Sequence, residues 1–215
     1  MRIVLAVFAA IALAGCSALS VTADPASDAP EARISDGGKF TQASSYGDTL
    51  KLWRSAEDIN AWVNARFEYD PARAIQLSET QRQKNGRMPI LAPEVFFAAP
   101  RGVCVDLSRF AIETLRAIDP DTQPAYVMIE FDPVTIAGNT LRRHWVASFL
   151  RAGQHYYFAD SKRPGHIAGP YGSTQAFIDE YARYRGRRVV SFREVDSYER
   201  QARTMAPKQL GVDRP

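Results

Sequence analysis

The chain has 215 residues, of which 46% are hydrophobic and 24% charged, and a formal net charge of +3. That is room for one domain with a proper core, and it excludes both a disordered chain and a multi-span membrane protein. The modest charge offers nothing of a nucleic-acid reader, and no internal repeat is visible.

In chain order, Met1-Arg2 is a short positive start, Ile3 to Ala12 an unbroken apolar run, and Leu13-Ala14-Gly15-Cys16 closes it with small residues before a thiol. A run this short reads as a secretory signal rather than a membrane span. Its ending resembles the bacterial lipobox, which implies a signal peptide over residues 1–15 and lipidation of Cys16. The membrane then becomes a partner through the lipidated N-terminus, and Ser17 in second place points to the periplasmic face of the outer membrane. With Cys16 acylated, the mature protein keeps one thiol, Cys104, and no disulfide in an oxidising compartment. Residues 16–48 are rich in Ala, Ser, Asp, Pro and Gly and poor in large apolar side chains. Such a segment buries too little surface to offset its ordering cost and is expected to be a flexible tether.

The domain is expected over residues 49–196. Ser55 and Asp58 make a Ser-x-x-Asp helix start, followed by Ile59, Trp62, Val63, Ala65 and Arg66 at helical spacing, and the helix is expected to end near Tyr69-Asp70-Pro71. Residues 72–100, broken by Pro89, Pro93 and Pro100, predict a loop with at most a short helix, forming one wall of a cleft. After Gly102, the stripe Leu107, Phe110, Ala111, Thr114, Leu115 and Ile118 predicts a helix that Asp119-Pro120 ends. Cys104 therefore falls in a first helical turn, near unpaired backbone N–H groups and the positive end of the macrodipole, which favour thiolate. Asp106 reads as a first-turn carboxylate that complements that dipole.

Strands are expected over Ala125–Phe131, Arg143–Leu150 and Gln154–Asp160. Read as a three-residue loop with Gly153 in the left-handed position, Arg151-Ala152-Gly153 sets Leu150 opposite Gln154 and His144 opposite Asp160. A one-residue slip sets Asp160 against Trp145, on the wrong face. Trp145 and Tyr157 are expected in the core on the side of the sheet away from His144. A helix over Thr174–Arg185 and a strand over Arg188–Val195 follow, then a tail over 197–215. Arg183, Arg185, Arg187 and Arg188 read as a solvated edge. Helices followed by sequential antiparallel strands define an α+β fold.

Cys104, His144 and Asp160 occur in the order, and on the element types, that a Cys-His-Asp relay requires. Gly102-x-Cys104-x-Asp106-x-Ser108 entering a helix, His144 beginning an apolar strand and Asp160 ending the next together resemble the transglutaminase-like superfamily. The likeness spans about Ala56 to Pro164. It implies a papain-like core, with the cysteine at the start of a helix packed on an antiparallel sheet, and an activity as a bacterial cysteine peptidase or amidase. Cys104 is then the nucleophile, His144 the base and acid, and Asp160 the group that orients the imidazole. The Cys104 backbone N–H is one oxyanion donor, and Gln81, Gln83 and Asn85 are candidates for a second. One branch of the superfamily binds calcium through several acidic residues around its cysteine. Here Asp106 is the only neighbouring carboxylate, so a calcium requirement does not carry over. The scattered His155 and His166 do not make a zinc site with His144. No metal or cofactor is expected, and the partner is a protein or peptide substrate of the cell envelope, met by a monomer. Acyl transfer to an amine and a non-catalytic binding or scaffold module on the same fold are the alternatives.

Overall fold

The computed structural model describes residues 27–31, 40–41, 43–80, 88–136 and 138–199. The segment expected to be a signal peptide, Cys16, the candidates Gln81, Gln83 and Asn85, and the tail after Glu199 lie outside the described residues.

Helix α1 (Tyr46–Leu52) is capped by the Ser45 hydroxyl, which accepts from the Asp48 N–H. Helix α2 (Ala56–Arg66) starts where Ser55 and Asp58 place it, the Asp58 carboxylate accepting from the backbone N–H groups of Arg54 and Ser55 at 2.8 and 3.2 Å. It stops at Arg66, short of the expected end, because Glu68–Tyr69 form strand β1, which pairs in parallel with β2 (Arg101–Gly102). The stretch expected to be mostly loop carries two helices, α3 (Pro71–Thr80) and α4 (Pro93–Ala98). Each opens on a proline. At a first helical position the missing N–H costs nothing and the fixed φ suits the helix, so these prolines start elements instead of breaking them.

Helix α5 (Cys104–Ile118) begins three residues before its apolar stripe, with Cys104 as its first residue, and ends where the stripe does, with Asp119 leading into a single 3-10 turn at Pro120–Thr122. Strands β3 (Ala125–Ile136), β4 (Asn139–Arg151), β5 (Gln154–Phe158), β6 (Ala168–Tyr171) and β7 (Val189–Val195), with helix α6 (Thr174–Arg185) between the last two, complete an α+β fold. The sheet runs β6-β5-β4-β3-β7, every pair antiparallel. Strand β3 continues past Asp132-Pro133 through a register shift between Glu130 and Val134, a place where a proline interrupts no regular ladder bond. One face of the sheet packs Ala147, Phe149 and Phe158 against Trp62, Phe110 and Leu115 of α2 and α5. The other packs Val127, Ile129 and Val146 against Phe177, Ile178 and Tyr181 of α6.

The β4–β5 connection corrects the expected register. Arg151 pairs with Gln154 and Leu150 with His155, leaving the two-residue loop Ala152-Gly153 with φ of 50° and 73°. Two successive left-handed residues are the requirement of a type I′ turn, whose twist matches that of the flanking strands. This register is the one-residue slip, and carried on regularly it would turn Asp160 away from His144. It does not carry on. The ladder ends at Ala147 opposite Phe158, and Ala159, with φ of 54°, reverses the alternation and returns Asp160 to the His144 side. The same register puts Tyr157 on the α6 face that it was expected to avoid, stacked on Phe177 at 3.7 Å. Ala152 is exposed and has no reason in its side chain to adopt a positive φ. Ala152→Asn should therefore stabilise the fold by about 0.5–1 kcal/mol, seen as a rise of about 2 °C in Tm by calorimetry.

Candidate active site

Cys104 is the first residue of α5, and its surroundings explain why the helix starts there. Asp106 is fully buried and accepts from the backbone N–H of Val103 at 3.1 Å and of Leu91 at 2.9 Å, and its two oxygens take the guanidinium of Arg73 at 2.7 Å each. The carboxylate is thus more than a complement to the helix dipole. It ties α3, the segment before α4 and the cysteine turn together. A Cβ at Gly102 would come within 3.0 Å of the Asp106 side chain and 3.1 Å of Phe96, so any side chain there would press on the buried carboxylate.

His144 on β4 is fully buried. Its Nε2 is 3.0 Å from Asp160 Oδ1, and its ring stacks on Tyr181 of α6 at 5.8 Å and 19°. Asp160 also accepts from the Lys162 backbone N–H at 2.9 Å and from the Tyr181 hydroxyl at 3.0 Å, with Arg163 at 3.5 Å. Ligand atoms of Cys104, His144 and Asp28 all lie within 4.8 Å of one another. The structure therefore brings Cys104, His144 and Asp160 into one chain of contacts, with the imidazole in the middle.

The sequence did not disclose the rest of the site. Asp28, from the segment expected to be tether, places Oδ1 3.1 Å from His144 Nδ1 and 2.8 Å from Arg185 Nη2. Arg185 is 1% exposed, which corrects its reading as part of a solvated edge: it also donates to the Tyr181 hydroxyl at 3.1 Å. Arg188, by contrast, is a surface residue paired with Asp132. Tyr181 and Arg185 sit one helical turn apart on α6 and so reach the same spot. Tyr69, at the end of β1, has its hydroxyl pushed well above the ordinary range by burial and by the neighbouring Asp28 and Cys104, so it keeps its proton as a donor.

Burial alone would push the imidazole toward its neutral form, but Asp28 and Asp160 on its two sides outweigh this and hold His144 protonated well above 6.5. Burial likewise works against both carboxylates and is outweighed by His144, so Asp28 is held down to about 2 and Asp160 lower still. A raised histidine gives stability that is complete below its unfolded value of 6.5 and is lost as pH climbs through its folded value. The depressed carboxylates give stability that is present above about 4 and lost as pH falls. The Tm difference between the wild type and His144→Ala should thus be greatest at about pH 5–6 and shrink toward pH 10, in melts run across that range. A constant difference would mean that His144 is neutral in the fold.

The Asp28, Cys104 and His144 donors are also a type of group that holds a transition metal. Arg185 argues against that use, because its guanidinium is bonded to the same Asp28 oxygen and a dication there would face a fixed positive charge. His155 and His166 are not members of the group.

No protein-family model matches the chain, and no curated protein matches it. Among solved structures it is similar to Legionella pneumophila LapG in a calcium-bound form, at 16% identity over 77% of this chain and 86% of that one, with a TM-score of 0.39. A likeness that distant transfers no activity, and the chemistry has to come from the site itself.

Proposed function

We propose that the protein is a cysteine hydrolase that cleaves an amide bond in a peptide or protein of the bacterial cell envelope. The observation that carries this reading is the buried imidazole of His144, held at 3.0 Å by Asp160 and presented to Cys104 at the start of α5. Cys104 attacks the amide carbonyl, forming a C–S bond. His144 gives its proton to the departing amine as the C–N bond breaks, leaving an acyl-thioester. His144 then takes a proton from water, which attacks the thioester, and the thiolate leaves with the acid product. Asp160 fixes the ring orientation and stabilises the imidazolium. The Cys104 N–H, at a helix position with no intrahelical acceptor, faces the developing oxyanion.

The envelope location rests on the signal and on Cys16, where lipidation would hold the protein at the membrane. No helix among the described residues is long and apolar enough to cross one. LapG is described as calcium-bound, but no calcium role is assigned to this chain. Asp106, the carboxylate two residues after Cys104 in sequence, is committed to Arg73 and two backbone N–H groups.

The test is a screen of fluorogenic peptides and envelope extracts with wild type and Cys104→Ala, with mass spectrometry of the products. Loss of every cleavage in the variant is expected, and cleavage that survives it refutes the reading. Incorporation of a labelled amine in place of water would redirect the second half of the reaction to acyl transfer.

A further inference from the structure

The segment Ser27–Glu31 lies on the site as a bound peptide does. The Ser161 hydroxyl donates to the Asp28 carbonyl at 2.9 Å, the Glu31 N–H donates to the Lys162 carbonyl at 3.2 Å, and Arg185 donates to the Ser27 carbonyl at 3.2 Å. Such main-chain bonds give affinity to any extended peptide, while side-chain sites give selectivity. Here there are two such sites, both cationic. Asp28 meets Arg185 at 2.8 Å, and Glu31 meets Lys162 Nζ at 3.1 Å and accepts from the Tyr184 hydroxyl at 2.7 Å. The side chains of Arg185 and Lys162 are only 0% and 2% exposed. The segment covers both cations as a strap and sets a carboxylate beside each.

The position of Asp28 is the second observation. Its Oδ1 bridges Arg185 and His144 Nδ1, and its carboxylate lies within 4.8 Å of the Cys104 thiol. A substrate carbonyl has to enter this same space to be attacked. A carboxylate resting there imitates the acid product of amide hydrolysis, held by the groups that would hold that product. With the strap in place Cys104 is 7% exposed and His144 fully buried.

We infer that Arg185 and Lys162 form a subsite for an acidic peptide with carboxylates three residues apart, and that the chain's own Asp28-Ala29-Pro30-Glu31 occupies it as an inhibitor in cis. Tethering raises the strap's effective concentration to the millimolar range, so a substrate must be either strongly acidic or locally concentrated to displace it. The identification of the occupied space as a substrate site rests on the hydrolase reading, whereas occupancy by the strap does not.

The experiment uses the full chain and the variant Asp28→Asn/Glu31→Gln, whose side chains keep their shape and lose their charge. Two readouts are taken: the alkylation rate of Cys104, and binding of a labelled peptide spanning residues 24–33, by fluorescence polarisation. The variant should be alkylated at least about tenfold faster and should bind the peptide where the wild type does not. A peptide with Asn and Gln in place of the two acids, or Lys162→Gln added to the variant, should weaken binding about tenfold or more. Equal alkylation rates, no binding up to about 1 mM, or equal binding of the neutral peptide would each overturn the inference. Both readouts report occupancy and not turnover, so they stand even if no amide is ever cleaved. Cleavage by wild type and variant with the same kcat/KM would remove the strap while leaving the hydrolase intact.

Discussion

Asp160→Asn should lower kcat for amide cleavage by about 10³–10⁴-fold with little change in the fold. Asp160 receives bonds from His144 Nε2, the Lys162 N–H and the Tyr181 hydroxyl, all at about 3 Å, so every neighbour is a donor. An asparagine must turn its NH₂ toward one of them. Facing His144, it forces the proton onto Nδ1 and leaves the ring in the wrong tautomer to take one from Cys104 or water. The check is kcat on a peptide that the wild type cleaves, with circular dichroism to confirm folding. A loss of less than tenfold would take Asp160 out of the relay and leave it a structural partner.

Asp106→Ala should cost about 3–5 kcal/mol, a fall of about 10 °C or more in Tm, measured by calorimetry or urea titration. The substitution strands the Arg73 guanidinium, whose side chain is 13% exposed, and deprives the Leu91 and Val103 N–H groups of their acceptor. Arg73→Lys keeps the charge but not the two-pronged geometry and should fall between the two proteins. A cost below about 1 kcal/mol would mean that the pair merely balances its own desolvation.

What could be read from the sequence divides along physical lines. Helix α6 was legible at both ends and α5 at its C-terminal end, because each has a full apolar stripe and α5 stops at Asp119-Pro120. Helices α3 and α4 were not, since Pro71 and Pro93 look alike whether they end an element or begin one. The meeting of His144 and Asp160 was reached by a different route from the expected one. Arg151-Ala152-Gly153 serves both a three-residue and a two-residue loop, and the choice turned on an alanine taking a positive φ, which alanine seldom does. A second such alanine, Ala159, then restored the face that the slip had lost.

The charged half of the site was hidden for another reason. Arg185 stands in the last turn of a helix among other arginines, where composition predicts solvent, and only its spacing from Tyr181 could have signalled a shared target. Asp28 lies in a stretch whose apolar content predicts no order at all. Its place is decided by two cations about 130 to 160 residues away in the chain, a kind of contact that local pattern does not contain.

The proposed chemistry requires His144 and Cys104 to act as one nucleophilic unit. It is tested most directly by the rate of iodoacetamide modification of Cys104 at about pH 6, with and without His144→Ala, in the Asp28→Asn/Glu31→Gln background and in the wild-type strap background alike. At least a tenfold faster reaction is expected when His144 is present, because a protonated imidazole beside the sulfur favours the anionic nucleophile. Equal rates with and without His144 in both backgrounds would contradict it, leaving the buried thiol a packing residue and the site a place for binding alone.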